Sequence, residues 1–147
     1  MARLRFTTTL TVSAPASLPA TLMQWNLPNH RRVRLLSIEL LSSGSTASDS
    51  PIVLEVGRLI TAGTGIFAAA TKAKVDVAAE TIQTACGRYT TEPGYGTILA
   101  WTSFHPMASM TWKPGGRGLL LTGALAFGLR QIAGPLVDVT LQALLEE

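Results

Sequence analysis

The sequence predicts an all-β fold, an antiparallel β-sandwich, and three observations carry that prediction. Apolar and polar residues alternate with a period of two, most cleanly from Arg3 to Val12, where Leu4, Phe6, Leu10 and Val12 oppose Arg3, Arg5, Thr7, Thr9 and Thr11. Turn signals built on glycine and proline recur about every 8 to 12 residues. Helical periodicity does not interleave regularly with the strands. About eight to ten strands in this pattern describe a sandwich. Within that class an eight-stranded jelly roll is the expected form and an immunoglobulin-like sandwich the alternative. No internal repeat of roughly 20 to 50 residues points to a solenoid or propeller.

The elements follow in order. Arg3 to Val12 is a half-buried strand whose threonine face suits a pleated surface. SAPASLPA interrupts with two prolines, and a short strand from Thr21 to Leu27 carries Trp25. After the turn LPNH come two long strands, RRVRLLSIELLS and PIVLEVGRLIT, joined by SGSTASDS; the chain is organised around this pair. Leu36, Ile38 and Leu40 share one face of the first, and Ile52, Leu54 and Val56 share one face of the second. The opposite faces mix Glu39 and Glu55 with Leu35, Leu41 and Val53, so these too are expected to be covered. The segment from Ile66 to Gly87 is ambiguous; a strand from Lys72 to Ala78, followed by a loop or a single helical turn, fits its alternation. GRYTTEPGYG reads as a loop. Strands follow in TILAWTSFHP and MASMTWKPGG, with a turn at His105 and Pro106, and two more lie in RGLLLTGALAFGLR, broken at Gly123. In GPLVDVTLQALLEE, Val137, Val139 and Leu141 alternate with Asp138, Thr140 and Gln142, which favours a strand over a helix.

Composition bounds the function. The 147 residues suit one domain spanning 1–147 with a real core. Only 14% of residues are charged, against about 25% in an average globular chain, and the mean hydropathy is +0.31. Such a surface is expected to be covered in part by other protein, the alternative being a surface solvated by threonine and serine. The net charge is +3, with arginines bunched at Arg3, Arg5, Arg31, Arg32 and Arg34. No dense basic stripe or reading element accompanies them, so an acidic protein surface is the expected partner rather than nucleic acid. Threonines interrupt the apolar run of the first 20 residues, which argues against an export signal. GLLLTGALAFGL between Arg117 and Arg130 is far short of the roughly 20 residues of a spanning helix, so no membrane partner is expected.

A search for reactive groups assigns no catalytic residue, no metal ligand and no cofactor-binding residue. The two histidines, His30 and His105, each lie beside proline in a turn, and no GxSxG elbow supports a triad with the lone Cys86. Cys86 reads as a small core residue. Gly63, Thr64 and Gly65 form a corner rather than a phosphate cradle, because no GxxxxGK[ST] or GxGxxG leads from a strand into a helix. The aromatics Trp25, Tyr89, Tyr95, Trp101, Phe104 and Trp112 fit core and interface packing, with a sugar-stacking platform as the other use of such rings.

TASDSPIVLEV at 46–56, YTTEP at 89–93 and AWTSFHPMASMTWKPGGRGLLL at 100–121 give the chain a resemblance to small proteins encoded in tailed phages and prophages. Those proteins resemble single jelly-roll virion components such as head decoration, or cement, proteins. The resemblance runs from about Arg31 to the C-terminus and carries no catalytic residues. The chain departs from it by a longer N-terminal strand and by the cluster Arg31 to Arg34. It implies a non-enzymatic virion structural protein, a homotrimer that binds the major capsid protein on the capsid surface and is assembled in the host cytoplasm. The alternative is a carbohydrate- or receptor-binding tail or fibre module. On the decoration reading, residues 1–20 form an N-terminal arm strand. The expected partner-binding residues are then Arg3, Leu4, Arg5, Phe6, Arg31, Arg32 and Arg34, with Phe6 burying more area against the neighbour than the arginines contribute by charge.

Overall fold

In the computed structural model, which describes residues 4–27, 32–42, 50–76, 81–122 and 126–147, the chain is a β-sandwich of two antiparallel sheets. Twelve strands are present among these residues: β1 Arg5–Val12, β2 Ala20–Asn26, β3 Val33–Ser42, β4 Ile52–Thr61, β5 Ile66–Ala69, β6 Thr71–Lys74, β7 Ala85–Tyr89, β8 Gly94–Phe104, β9 Ser109–Trp112, β10 Leu119–Leu121, β11 Ala126–Ala133 and β12 Val139–Glu146. One sheet runs β10-β3-β12-β1-β6, with β9 also paired to β3; the other runs β5-β7-β2-β11-β4-β8. The pairing is nested. β1 pairs with β12, β2 with β11, β3 with β9 and β10, and β4 with β8. The chain is in effect one long hairpin rolled so that alternate paired segments enter opposite sheets. The excursion between β4 and β8 adds β6 beside β1, β7 beside β2 and β5 beyond β7.

The core lies between the sheets and is built as the alternation requires. Leu4, Phe6, Leu10 and Val12 of the first strand face Trp25, Leu54, Phe127 and Leu129 across it. Thr8 shares that inner face. Its hydroxyl accepts the Trp25 indole N–H at 3.4 Å and donates to Met23 Sδ at 3.6 Å, so the one polar group of the strand's inner face satisfies the core's largest side chain. Ile52, Leu54 and Val56 are all fully buried, as the sequence predicts. Leu54→Ala is expected to cost about 2–5 kcal/mol in urea unfolding, the range for truncating a buried leucine. A loss under about 1 kcal/mol would place Leu54 off the core.

The two long strands line the core from opposite sides: β3 and β4 stand in opposite sheets, each with partners on both edges. Several expectations change. In β3 the inner face is Val33, Leu35, Ile38 and Leu40, while Leu36 is only partly buried. A bulge explains this. The register with β12 jumps from Leu144 opposite Ser37 to Leu145 opposite Leu35, which exchanges Leu35 and Leu36 between faces. Leu36 then lies over Gly118, whose φ of +87° and lack of a Cβ leave room for it; a Cβ there would stand 2.9 Å from Leu36 Cδ2. The ambiguous segment holds β5, β6 and β7, with the strand from Lys72 ending at Lys74 and residues 77 and 78 outside the described set. β7 lies where a loop was expected, because its small residues carry no alternation; Gly87 lets β5 pass close, a Cβ being 3.2 Å from Ala69 Cα. β8 begins at Gly94, three residues before the expected TILAWTSF. The break at Gly123 lies outside the described residues.

Candidate functional site

The residues expected to bind a partner separate into two groups. Leu4 and Phe6 are fully buried in the chain's own core. The N-terminal arm is therefore corrected: β1 is an interior strand, hydrogen-bonded to β12 on one side and β6 on the other. Its clean alternation reflects burial inside this molecule, a pattern identical to that of a strand buried on a neighbour. Arg3 and Arg31 lie outside the described residues. Arg5, Arg32 and Arg34 gather at one end of the first sheet, because β12 runs between β1 and β3 and sets Glu146 opposite both Arg5 and Arg34. Arg5 Nε meets Glu146 Oε2 at 3.2 Å, and Arg34 Nη1 donates to the Arg117 carbonyl at 3.0 Å. Arg32, Arg34, Leu120, Glu146 and Glu147 line a depression of about 210 Å³. The Glu147 carboxylate accepts from the Gln83 N–H at 3.0 Å and the Thr84 hydroxyl at 2.8 Å. Arginine and carboxylate are thus mixed at this corner, and it is not a basic patch.

A larger depression, about 630 Å³, opens on the outer face of the same sheet. Strand register builds it from two rows across β1, β12, β3 and β9. One row is Thr9, Gln142, Glu39 and Thr111; the next is Thr11, Thr140, Leu41 and Ser109. Gln142 Nε2 donates to Thr9 Oγ1 at 3.0 Å, and the Thr11 and Thr140 hydroxyls are 3.1 Å apart. Glu39 is exposed and Leu41 is 54% exposed. The surface offers hydroxyls, a carboxamide and one carboxylate around a leucine. It has hydrogen-bonding capacity and no nucleophile–base pair.

On the outer face of the second sheet, the part over β4 and β11 at Gly57 and Gly128 is covered by the chain itself. Tyr95 of β8 lies across β4 and β11, its ring over Gly57 and Gly128, and its hydroxyl meets Thr21 Oγ1 of β2 at 3.0 Å. The Arg130 guanidinium stacks 4.1 Å from the ring centroid and pairs with Glu55, while Glu92 accepts the Thr21 N–H at 3.0 Å. Burial pushes the Tyr95 phenol well above its ordinary range, outweighing the Thr21 hydrogen bond and the Arg130 charge, which act the other way. The covered outer face of β4 is thus real, and what covers it is intramolecular. Glycines in the middle of two clean strands were the sequence signal for a ring crossing there.

Cys86 is buried against the core, and burial pushes its thiol up to about 11 from 9.0, with the Lys72 charge and the Thr8 hydroxyl opposing. It is a protonated thiol at neutral pH rather than a nucleophile. Because the folded value is raised, the folded state keeps a proton that the unfolded chain loses above pH 9.0. The stabilisation is complete below that value and fades between pH 9.0 and about 11. Urea midpoints are expected to fall across this window, and Cys86→Ala to remove the early part of the fall; an unchanged slope in that variant would contradict the assignment. His105 accepts the Met107 N–H on Nδ1 at 3.1 Å and shapes its turn; His30 lies outside the described residues. Of the six aromatics named above, Trp25 and Phe104 are in the core and Tyr95 is under Arg130, while Trp101 is 71% exposed on the second sheet. They do not converge on one platform. Among the described residues no group of three His, Cys, Asp or Glu side chains could hold a metal ion, and no helix is long and apolar enough to cross a membrane. No family model, curated protein or solved structure matches the chain.

Proposed function

We propose that the chain is a non-enzymatic structural protein of a tailed-phage virion, a decoration protein that sits on the capsid surface. It binds the major capsid protein there as a homotrimer and is assembled in the host cytoplasm. The observation that carries this reading is the amount of large apolar surface left open on a charge-poor sandwich, including Ile60, Ile66, Phe67 and Trp101, all more than 60% exposed. They lie toward both edges of the second sheet, on β5 and on β4 and β8, where another protein surface would cover them. The nested pairing of β1 to β4 with β12, β11, β9/β10 and β8 supports the eight-stranded jelly-roll form of the sandwich. The mechanism is mechanical: contact across capsomer joints exists only in the assembled shell, so by mass action it resists expansion. Arg5, Arg32 and Arg34 supply the charged part of the contact and open apolar side chains supply the rest. Cosedimentation of the purified chain with particles lacking it tests the proposal. Saturable binding and a higher temperature of shell disruption are expected; no binding at saturating protein overturns it.

The groove on the first sheet favours a second reading, a glycan- or receptor-binding module of a tail or fibre. Its rows of hydroxyl and amide groups match the hydrogen-bonding pattern of a neutral polyhydroxylated ligand. Titration with oligosaccharides, followed by amide shifts at Thr9, Glu39, Thr111 and Gln142, distinguishes it.

A further inference from the structure

Among the described residues β8 is the longest strand, and it stands at the edge of its sheet. Among the described residues it pairs only with β4. Its eleven residues, GYGTILAWTSF, contain no charge and no proline. Natural edge strands are protected by shortness, by lysine, by proline or by bulges. β8 has bulges only in its first half; from Ala100 to Phe104 its register with β4 is unbroken, so this half offers a straight, unprotected row of backbone donors and acceptors. Trp101 sits in that half, 71% exposed, on the outer face beside Glu55, and Ile98 precedes it on the same face.

From this geometry we infer that β8 is a self-association edge: two copies of the chain pair their β8 strands antiparallel about a two-fold axis near Trp101, continuing one sheet across both molecules. The inference rests on the homo-oligomer part of the reading above. The second copy is the occupant that the charge pattern fits. An uncharged strand meets an identical uncharged strand, so no ionised group is stripped of water, and a two-fold pairing is self-complementary by construction. The other described sheet-edge strands of a copy fit less well. β5, β6, β9 and β10 have at most four residues each and would leave most of β8 unpaired, and β6 brings Lys72 and Lys74 to the contact. The two Trp101 rings then cover each other and the adjoining outer faces, which adds apolar burial to the backbone pairing. A two-fold contact of this kind makes dimers of the free chain and joins neighbouring trimers on a shell.

The test is hydrogen exchange on the full chain at high and low concentration, with sedimentation in parallel, for the natural sequence and for Trp101→Lys and Ser103→Lys. Both substituted residues are exposed, and matching thermal melts establish that the variants fold. Amides of 100–104 are expected to exchange about tenfold more slowly at high concentration in the natural chain, with both variants sedimenting as the smaller species and losing that protection. Assembly without concentration-dependent protection in β8 overturns the edge pairing and leaves the homo-oligomer reading in place. A monomer at every concentration overturns the pairing as well, and the cosedimentation assay then decides the decoration reading alone. Protection that appears only when particles are added assigns the edge to a strand of the capsid protein and equally overturns self-pairing.

Discussion

Phe6→Ala is expected to lower the stability of the isolated chain by about 3–5 kcal/mol, the range for truncating a buried phenylalanine. Phe6 has no exposed surface and lies in the core between the sheets. Arg5→Ala, one residue away on the opposite face, removes a half-exposed ion pair with Glu146 and is expected to cost at most about 1 kcal/mol. The contrast separates an interior strand from an attachment arm. Deleting residues 1–12 goes further, since it strips β12 and β6 of their shared partner and removes Leu4, Phe6, Leu10 and Val12 from the core. Domains are stable by only about 5–15 kcal/mol, so the truncated chain is expected not to fold. Urea unfolding and circular dichroism check both results. A truncated chain that folds with a cooperative transition, or a Phe6→Ala protein of natural stability that fails to bind particles, would restore the arm.

The second large effect is expected at Gly128. A Cβ there would stand 2.8 Å from Tyr95 Cζ and 3.2 Å from Leu59 Cδ2, so the ring must lift from the sheet. Lifting it breaks the hydroxyl contact with Thr21 and disturbs the stacking of Arg130, which also pairs with Glu55, on the ring. Gly128→Ala is therefore expected to cost about 3 kcal/mol, the upper part of the overpacking range. In a Tyr95→Ala background the sign should reverse. With no ring to displace, replacing a mid-strand glycine relieves a cost of about 0.5–1 kcal/mol. A double-mutant cycle of urea midpoints measures the coupling directly. Additive effects would mean that Tyr95 does not rest on Gly128.

Much of the fold was legible because local alternation reports burial. In β1, β4 and β12 the residues expected inward are inward, since a period of two and one buried face leave a single register. The same logic misled where one residue was inserted: at Leu35 and Leu36 the β3 bulge exchanges faces, and a bulge leaves no mark in composition. It also could not tell burial against the chain itself from burial against a neighbour, and Phe6 was assigned to the wrong one of these.

By itself, then, the sequence determined the class, an antiparallel sandwich with a threonine-rich, charge-poor surface, because alternation, turn residues and composition are properties of neighbouring positions. Which strands pair was decided only in three dimensions. Arg5 meets Glu146, and Thr9, Gln142, Glu39 and Thr111 form one row, through registers that join opposite ends of the chain. The same pairing leaves β8, among the described residues, with one bare edge and lays Tyr95 across two glycines from other strands. These features depend on which strand lies beside which. Nothing in a local pattern encodes that, because the energy that selects it comes from closing both sheets over one common core.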